Sequence, residues 1–482
     1  MSENMTVSTA SNTHSNLVNS PSVEVAFDNI KLKGGYPFIP KDFLYIPNNL
    51  DIDEILQNNP PEFNYCRDRF VFILDLIYSL PSRKKKTIEN YTGFTPISKT
   101  ILGGIIKNYR AYINYLKSQN IVEEDNYIVG EKSQGLRFVE RYRTTIGPVE
   151  ITNWALIKNY TYLRKNIDNQ SIEELSFLKN WFNDKLSVDI IGATDYLIEE
   201  YRKDLQNPNV KFPELSLNSR LYPIQKLFRL NQPLFFVDKT AGRLHTYLTQ
   251  LKSELRKFIK FNGKTLCNVD IVNSQPFLLQ SLLSKETYIR NNMVERVATT
   301  NPMMESDSTI LIMLGVLIDT VSHEDDVILF KEIVSSGRFY EEFGKILIEN
   351  GEIDETTNLY DLREMVKEVT FSTIFSKNSS IKYVNSIKIF QRVFPNVYEV
   401  IKYVKESHHP TLAVVLQNLE ADLILHKTCK IIAEERPDVL TYTLHDSIIT
   451  TEDNVDYVEK IMSKVLKKNI GVAPSLKVER WE

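Results

Sequence analysis

The spacing of apolar residues predicts helices in the first half of the chain and a mixed α/β unit in the second. An almost continuous apolar run over residues 70–80 fits a buried helix that Pro81 ends. Residues 98–116 have the period of an amphipathic helix, and short strand candidates follow at 121–124 and 136–140. The early part of the chain therefore reads as a small unit of helices and strands.

Breaks in this pattern divide the chain into four parts. Residues 171–182 and 195–203 again have helical periodicity, and Asn-Pro-Asn and Phe-Pro turns interrupt it at 207–213. We expect a disordered polar tail (1–45), a compact helix-and-strand unit (62–145), a helical connecting region (146–235) and an α/β unit (236–482).

Two strand-like runs in the last part each contain an aspartate. Asp270 lies in the run 265–273, and Asp446 lies in the run 440–450 between Leu444 and Ile448. Burying a carboxylate among apolar residues is costly unless its charge is compensated. Two such carboxylates on neighbouring strands would suit a pair of divalent metal ions.

A helical pattern between these runs places four side chains on one face. Arg363, Lys367, Phe371 and Phe375 are spaced four residues apart, which gives two cations followed by two aromatic rings. Cations of this kind can neutralise a triphosphate, and a ring can cover a base. Alternatively, the helix is an ordinary amphipathic one whose phenylalanines pack in the core. Together with the two aspartates, the stripe favours phosphoryl or nucleotidyl transfer.

Composition and charge limit the class of protein. With 482 residues, 42% hydrophobic and 25% charged, the chain is typical of a globular protein of several domains. A net charge of −4 argues against a protein that coats nucleic acid, but it allows an enzyme with a local basic cleft. The three cysteines have no metal-ligand spacing, and the N-terminus has no apolar signal segment. We expect a soluble, cytoplasmic protein without a membrane partner.

The unit over 62–145 resembles a winged-helix domain. Its helices are followed by two strands joined by Tyr-Ile-Val-Gly-Glu-Lys-Ser-Gln-Gly, from Tyr127 to Gly135, which has the turn chemistry of a wing. The resemblance implies contact with duplex DNA through the second helix and the wing. The phosphate contacts would come from Lys99, Lys107, Arg110, Lys132 and Arg137. Alternatively, these charges form a solvated face and the unit docks a protein.

The α/β unit resembles the family A (DNA polymerase I-like) polymerases. The stripe from Arg363 to Phe375 is similar to motif B of the fingers, Asp270 to Gln275 to motif A, and Leu444 to Ser447 to motif C. The phrases Thr-Ala-Gly-Arg-Leu at 240–244 and Gln-Asn-Leu-Glu-Ala-Asp at 417–422 occur in the family order. The resemblance covers about half the chain and implies a right-hand palm and fingers with a helical thumb-like region, an α/β (α+β) fold, beside the winged-helix domain.

This resemblance assigns roles to individual residues. Asp270 and Asp446 would hold two Mg²⁺ ions, and Lys367 and Arg363 would neutralise the triphosphate. Other side chains would contact the incoming nucleotide or the primer-template: for the nucleotide Phe371, Phe375 and Gln275, and for the primer-template Arg243, Gln417 and His445. The implied activity is template-directed DNA synthesis from a primer 3′ end, and replication proteins are possible partners.

Three positions depart from the family pattern. Gln275 replaces the Glu that guards against a ribose 2′-hydroxyl, Phe375 replaces a Tyr, and Ser447 replaces a Glu. Ser after His-Asp resembles single-subunit RNA polymerases, whereas the bulk of Gln275 favours deoxynucleotides. The upstream region offers no Asp-x-Glu-type strands of an exonuclease, so no proofreading is expected.

Two other functions stay open from the sequence. One is a single-subunit RNA polymerase or primer-making enzyme, and the other is a DNA-binding replication protein with an inactive palm. The small size and domain pairing are typical of a phage or mobile-element replicase.

Overall fold

The computed structural model describes most of the chain. The described residues are 41–83, 93–126, 133–162, 167–229, 234–301, 308–354, 357–406 and 408–482. Most of the predicted tail therefore lies outside the described residues, and its last part differs from the prediction because residues 42–45 belong to a strand. Among all the described residues, no helix combines the length and apolar character needed to cross a bilayer.

The N-terminal unit combines a two-stranded ribbon, a three-stranded sheet and four helices. Its elements in chain order are β1 Asp42–Pro47, α1 Ile52–Asn58, α2 Arg67–Ser82, β2 Thr95–Pro96, α3 Lys99–Ile105, α4 Tyr109–Ser118, β3 Val122–Glu124, β4 Gly135–Phe138 and β5 Ile146–Ile151. β1 pairs with β5, and the small sheet has the antiparallel order β2-β4-β3. The predicted strands are confirmed, and α2 extends one residue past Pro81.

The single helix predicted over 98–116 is wrong, because the structure has two. α3 ends at Ile105, Ile106 is extended with φ −127° and ψ 100°, and α4 begins at Tyr109. The Gly103-Gly104 pair lowers the helix propensity at this point, so tertiary packing of the buried Ile106 can break the helix.

A helical region follows and packs against the N-terminal unit. Its elements are α5 Trp154–Tyr162, α6 Asn169–Glu174, α7 Ser176–Lys179, β6 Leu186–Val188, α8 Ile190–Gln206 and α9 Pro213–Arg229. The predicted helix over 171–182 is thus two short helices that meet at Leu175. The turns predicted at 207–213 separate α8 from α9.

The C-terminal part is built around a sheet in the order β11-β12-β10-β9-β6, with β13 also paired to β10. Its strands, and a separate hairpin of β7 and β8, are β7 Phe236–Val237, β8 Leu244–His245, β9 Ile259–Phe261, β10 Lys264–Ile271, β11 Tyr442–Leu444, β12 Ser447–Thr451 and β13 Leu476–Arg480. β10 is flanked by antiparallel partners on both sides, with Asp270 opposite Ser447 of β12 and Lys477 of β13.

Helices make up most of the rest of the C-terminal part. They are α10 Tyr247–Gln250, α11 Ser274–Leu279, α12 Lys285–Arg290, α13 Met293–Thr300, α14 Ser308–Val321, α15 Asp325–Ser335, α16 Phe339–Glu349, α17 Leu359–Phe375, α18 Asn385–Val393, α19 Pro395–Val404, α20 Thr411–Ala421, α21 Lys430–Glu435 and α22 Val455–Ile470. A π-helical segment, Asp422–Cys429, joins α20 to α21. The helix predicted around Arg363 is confirmed as α17.

Two hydrophobic clusters lie on the two sides of the sheet. Because side chains alternate along a strand, Val269 and Ile448 enter one cluster, formed with the helices from α11 onward, and Leu266 and Ile449 enter the other. The second cluster continues through α8 and α9 into the N-terminal unit. The sheet that carries both aspartates is therefore held from both faces.

Candidate active site

The hairpin of β11 and β12 brings Asp446 beside Asp270. Leu444 pairs with Ser447, so His445 and Asp446 form the two-residue turn between the strands. His445 has φ +57°, the left-handed conformation that short hairpin turns need. The sequence pattern predicted a continuous strand through Asp446. This is wrong, because Asp446 lies in the turn, immediately before β12 begins at Ser447. The register of β10 and β12 then places Asp270 opposite Ser447, the next residue.

The two carboxylates interact electrostatically. Burial, and secondarily the charge of Asp446, raises the pKa of Asp270 to about 7, although Lys477 and Arg256 act in the opposite direction. Burial also raises the pKa of Asp446, and the Arg243 guanidinium opposes that shift. A pair of adjacent, partly buried carboxylates is unfavourable when both are ionised, so a bound cation would stabilise it.

Two carboxylates are a donor set that suits a hard divalent cation. Mg²⁺, for example, prefers oxygen ligands and retains water or substrate phosphate in its coordination sphere. Among the described residues, no group of three or more His, Cys, Asp or Glu side chains could hold a metal ion. Asp270 and Asp446 would supply two ligands, with water or substrate phosphate as the others.

Tyr340 lies beside both cations of α17 and within electrostatic range of Asp446. The Arg363 guanidinium lies 5.1 Å, and the Lys367 Nζ 6.0 Å, from the centre of the Tyr340 ring. Burial raises the pKa of Tyr340 to about 12, and the charge of Asp446 contributes to this shift. Tyr340 belongs to the first turn of α16.

Both cations are ion-paired at the surface of the helix. Arg363 Nη1 donates to Glu341 Oε1 over 2.6 Å, and Lys367 pairs with Glu364 one turn earlier. Such exposed pairs contribute little stability and exchange readily. A polyphosphate could therefore replace the carboxylates at low cost.

The phenylalanines of α17 face an open groove. Phe371 and Phe375 are 38% and 39% exposed, with ring centres 5.8 Å apart. They line a groove of about 1010 Å³ together with Lys367. The core face of the helix is instead formed by residues such as Val366 and Val369. The alternative of a core-packed aromatic pair is therefore wrong.

Two residues predicted to contact different ligands are joined through a buried glutamate. Arg243 Nη2 donates to both oxygens of Glu420, over 2.6 and 2.9 Å, and Gln275 Nε2 donates to Glu420 Oε2 over 2.9 Å. Glu420 is 1% exposed, and burial raises its pKa to about 7. Gly242 has φ +66°, and this lets its turn pack against α20 near Asn418. We call Arg243, Glu420 and Gln275 the Glu420 network.

The remaining predicted primer-template residues are His445 and Gln417. His445 precedes Asp446 in the turn, and the His445 ring meets His245 edge-on with centres 6.4 Å apart. His245 in turn bonds Asp238 through Nε2 over 2.9 Å. Gln417 is half-buried on α20, one turn before Glu420.

The basic residues of the N-terminal unit are mostly paired within it. Lys99 and Arg110, with Lys117, surround Glu124 at 3.1, 3.5 and 3.2 Å, and together they leave an excess of positive charge. Arg137 pairs with Glu123 at 2.6 Å.

The other two residues predicted to contact DNA differ in what the structure shows of them. Lys107 is exposed, in the break between α3 and α4. Lys132 lies outside the described residues.

Sequence reasoning missed several members of the site. Glu420 stands in the phrase at 417–422, which carried the family resemblance, but nothing near Glu420 or Tyr340 in sequence indicated their partners. Lys477 and Arg256 come from a strand and a short helical turn far from either motif in sequence. The alternation of apolar and polar residues in Leu476–Arg480 could have predicted the strand β13, and this was the one local signal for Lys477.

Comparisons with known proteins show a distant likeness to solved structures. No protein-family model matches the chain, and no curated protein matches it. Among solved structures, the chain is similar to the POL domain of Pol1 from M. smegmatis, solved in complex with DNA primer-template and dNTP. The identity is 11%, the TM-score is 0.41, and the match covers 68% of this chain and 73% of that one. The function is therefore inferred from the residues of the site.

Proposed function

We propose that the chain is a template-directed DNA polymerase of family A type, which extends a primer 3′ end by two-metal nucleotidyl transfer and has no proofreading activity. One observation carries this proposal. Two chain-distant aspartates, Asp270 and Asp446, meet at one sheet, and Tyr340, within electrostatic range of Asp446, is in contact with Arg363 of the cationic helix α17.

Each group has a distinct task in this reaction. When bound, the Mg²⁺ ions would activate the primer hydroxyl and stabilise charge on the phosphates. Asp270 and Asp446 would hold the ions, since a bound cation would relieve the repulsion between the two carboxylates. Arg363 and Lys367 leave their surface carboxylates and bind the triphosphate.

The groove along α17 offers a place for the nucleotide base. Phe371 and Phe375 present partly exposed rings there, and stacking on such rings tolerates any base. A template-directed enzyme needs this tolerance, because pairing with the template, rather than the protein, selects the base.

We further infer that residues 62–145 form a winged-helix DNA-binding domain, and that 146–235 form a thumb-like connecting region. The order helix, strand, helix, helix, strand, strand, with the sheet order β2-β4-β3, supports the first inference. The exposed Lys107 and the excess positive charge around Glu124 support contact with phosphates.

Primer extension on a defined template tests the proposal. With Mg²⁺ and dNTPs, the unmodified protein should extend the primer, and Asp446→Asn should abolish extension while DNA binding in a gel-shift assay persists. Asp453→Asn is a matched control, because Asp453 is an exposed aspartate paired with Lys264 near the same sheet.

Two outcomes separate the alternatives. Incorporation of rNTPs alone would identify an RNA polymerase or primer-making enzyme. DNA binding without incorporation of any nucleotide by the unmodified protein would identify a binding protein with an inactive site.

A further inference from the structure

The Glu420 network holds the Gln275 side chain in one position. Both carboxylate oxygens of Glu420 accept hydrogen bonds, from Arg243 and from Gln275, at 2.6–2.9 Å. Because the carboxylate is almost fully buried, these charge-assisted bonds are strong and breaking one leaves an unpaired group. Gln275 can leave this position only at that cost.

The orientation of the Gln275 amide follows from the same contacts. A carboxylate accepts hydrogen bonds only, so Nε2 must face Glu420. The amide oxygen Oε1 is buried and has no hydrogen-bond partner among the described residues. Rotation of the Gln275 amide by 180° would therefore lose the hydrogen bond to Glu420 and form no new bond to the carboxylate.

Glu420 is not itself suited to bind the metal. Its oxygens are already occupied by Arg243 and Gln275, although it lies near enough for the charge of Asp446 to contribute to raising its pKa. Gln275 follows the metal ligand Asp270 by five residues, at the first turn of α11. The network thus connects a buried carboxylate to a side chain at the edge of the nucleotide site.

Polar atoms without partners also lie close to this network along the chain. Both polar side-chain atoms of Asn273 are buried and lack partners among the described residues. Asn273 has φ +56° and lies between Asp270 and Gln275 in the chain. Buried polar atoms without partners are rare in proteins, and a bound molecule with hydroxyl or phosphate groups would satisfy them.

We propose that Glu420 is a positioning residue that sets the sugar preference of the enzyme by fixing Gln275. This inference rests on the proposed function. A fixed Gln275 fills a constant volume beside the nucleotide sugar and excludes a ribose 2′-hydroxyl. Without the bond to Glu420, the side chain moves aside and ribonucleotides are accepted.

The ratio of kcat/KM for dATP and ATP, measured by single-nucleotide insertion on one primer-template, tests this role. The unmodified protein should prefer dATP, and Glu420→Gln should lower the preference by about tenfold or more, since the amide keeps one acceptor oxygen instead of two and loses the negative charge that strengthens both contacts. Asp422→Asn is the control. It breaks the Arg296–Asp422 ion pair of 2.7 Å two residues further along, and it should leave the ratio unchanged.

A second variant separates the position of the residue 275 side chain from its volume. Gln275→Leu keeps nearly the same volume but removes the bond to Glu420, and it leaves the Arg243–Glu420 pair in place. We expect it to relax the preference as Glu420→Gln does, and the double variant to add little further. Thermal melting of each variant shows whether it is folded.

Several results would overturn the inference. An unchanged ratio in both variants, equal losses with both nucleotides, or a preference of the unmodified protein for ATP would each do so. Failure of the unmodified protein to insert either nucleotide would instead contradict the proposed function itself.

Discussion

Replacing Asp446 by Asn should stabilise the protein while abolishing its activity. The carboxyl of Asp270 has an ordinary pKa of 3.8 and titrates at about 7 in the folded protein. At ~1.4 kcal/mol for each pH unit, its ionised form costs about 4 kcal/mol of folding free energy. Burial is the larger cause and persists in the variant, so loss of the Asp446 charge should recover about 1–2 kcal/mol.

The sign of the pH dependence follows from proton binding. Between about pH 4 and pH 7 the folded protein holds the Asp270 proton and the unfolded chain does not, so stability falls as the pH rises through this range. The penalty is fully present above about pH 7. The gain from Asp446→Asn should therefore be larger near pH 8 than near pH 5.

Thermal unfolding in the presence of a chelator measures this difference. A gain of about 1–2 kcal/mol should raise Tm by about 1–2 °C near pH 8, and by less near pH 5, because an unfolding entropy of ~2.1 cal/mol/K per residue amounts to about 1 kcal/mol/K for 482 residues. Mg²⁺ should raise the Tm of the unmodified protein and have little effect on the variant. The exposed control Asp453→Asn should change neither the Tm nor its response to Mg²⁺. A lower Tm for Asp446→Asn near pH 8, or the same shift at both pH values, would refute the electrostatic reasoning.

Four other changes test single contacts. Lys367→Ala should raise KM for dNTP by about 10- to 100-fold through loss of a charged phosphate contact, whereas Lys367→Arg should retain much of the affinity; equal KM values would contradict the assignment. Phe371→Ala should cost about 1–3 kcal/mol of base stacking in nucleotide affinity, and Phe371→Tyr should restore it. The buried Lys405 ammonium donates hydrogen bonds to backbone carbonyl groups at the end of α17, including that of Ser376 at 3.0 Å. Lys405→Met should therefore lower the free energy of unfolding, measured in urea, by about 1–3 kcal/mol. Lys107→Ala should reduce the slope of DNA affinity against salt by about 1, and an unchanged slope would mean that this lysine touches no phosphate.

Local patterns predicted the elements that carry the site. The apolar run over residues 265–273 indicated β10, because both faces of this strand enter hydrophobic clusters, and the four-residue spacing of the Arg363 stripe indicated α17. In both elements the local pattern is strong enough to be read without any partner.

The features that sequence reasoning missed depend on contacts between distant residues or on turns without a turn signal. Glu420 lies 145 residues from Gln275 and 177 from Arg243, so nothing near it in sequence indicates its partners. His445 and Asp446 turn the chain inside an apolar run, without the Asn-Gly or Asp-Gly pair that usually marks a two-residue hairpin. The break between α3 and α4 likewise depends on burial of Ile106, which a helical pattern cannot show.

The position of β10 in its sheet has a consequence during synthesis of the protein. Its long neighbours, β12 and β13, begin only at Ser447 and Leu476, so about 180 residues must be translated after β10 before either exists. At ~5–20 residues per second this takes about 9–36 s. Throughout this interval an apolar strand has unpaired edges over most of its length, and such edges favour aggregation. The nascent chain should therefore depend on chaperones until the C-terminal strands emerge from the ribosome.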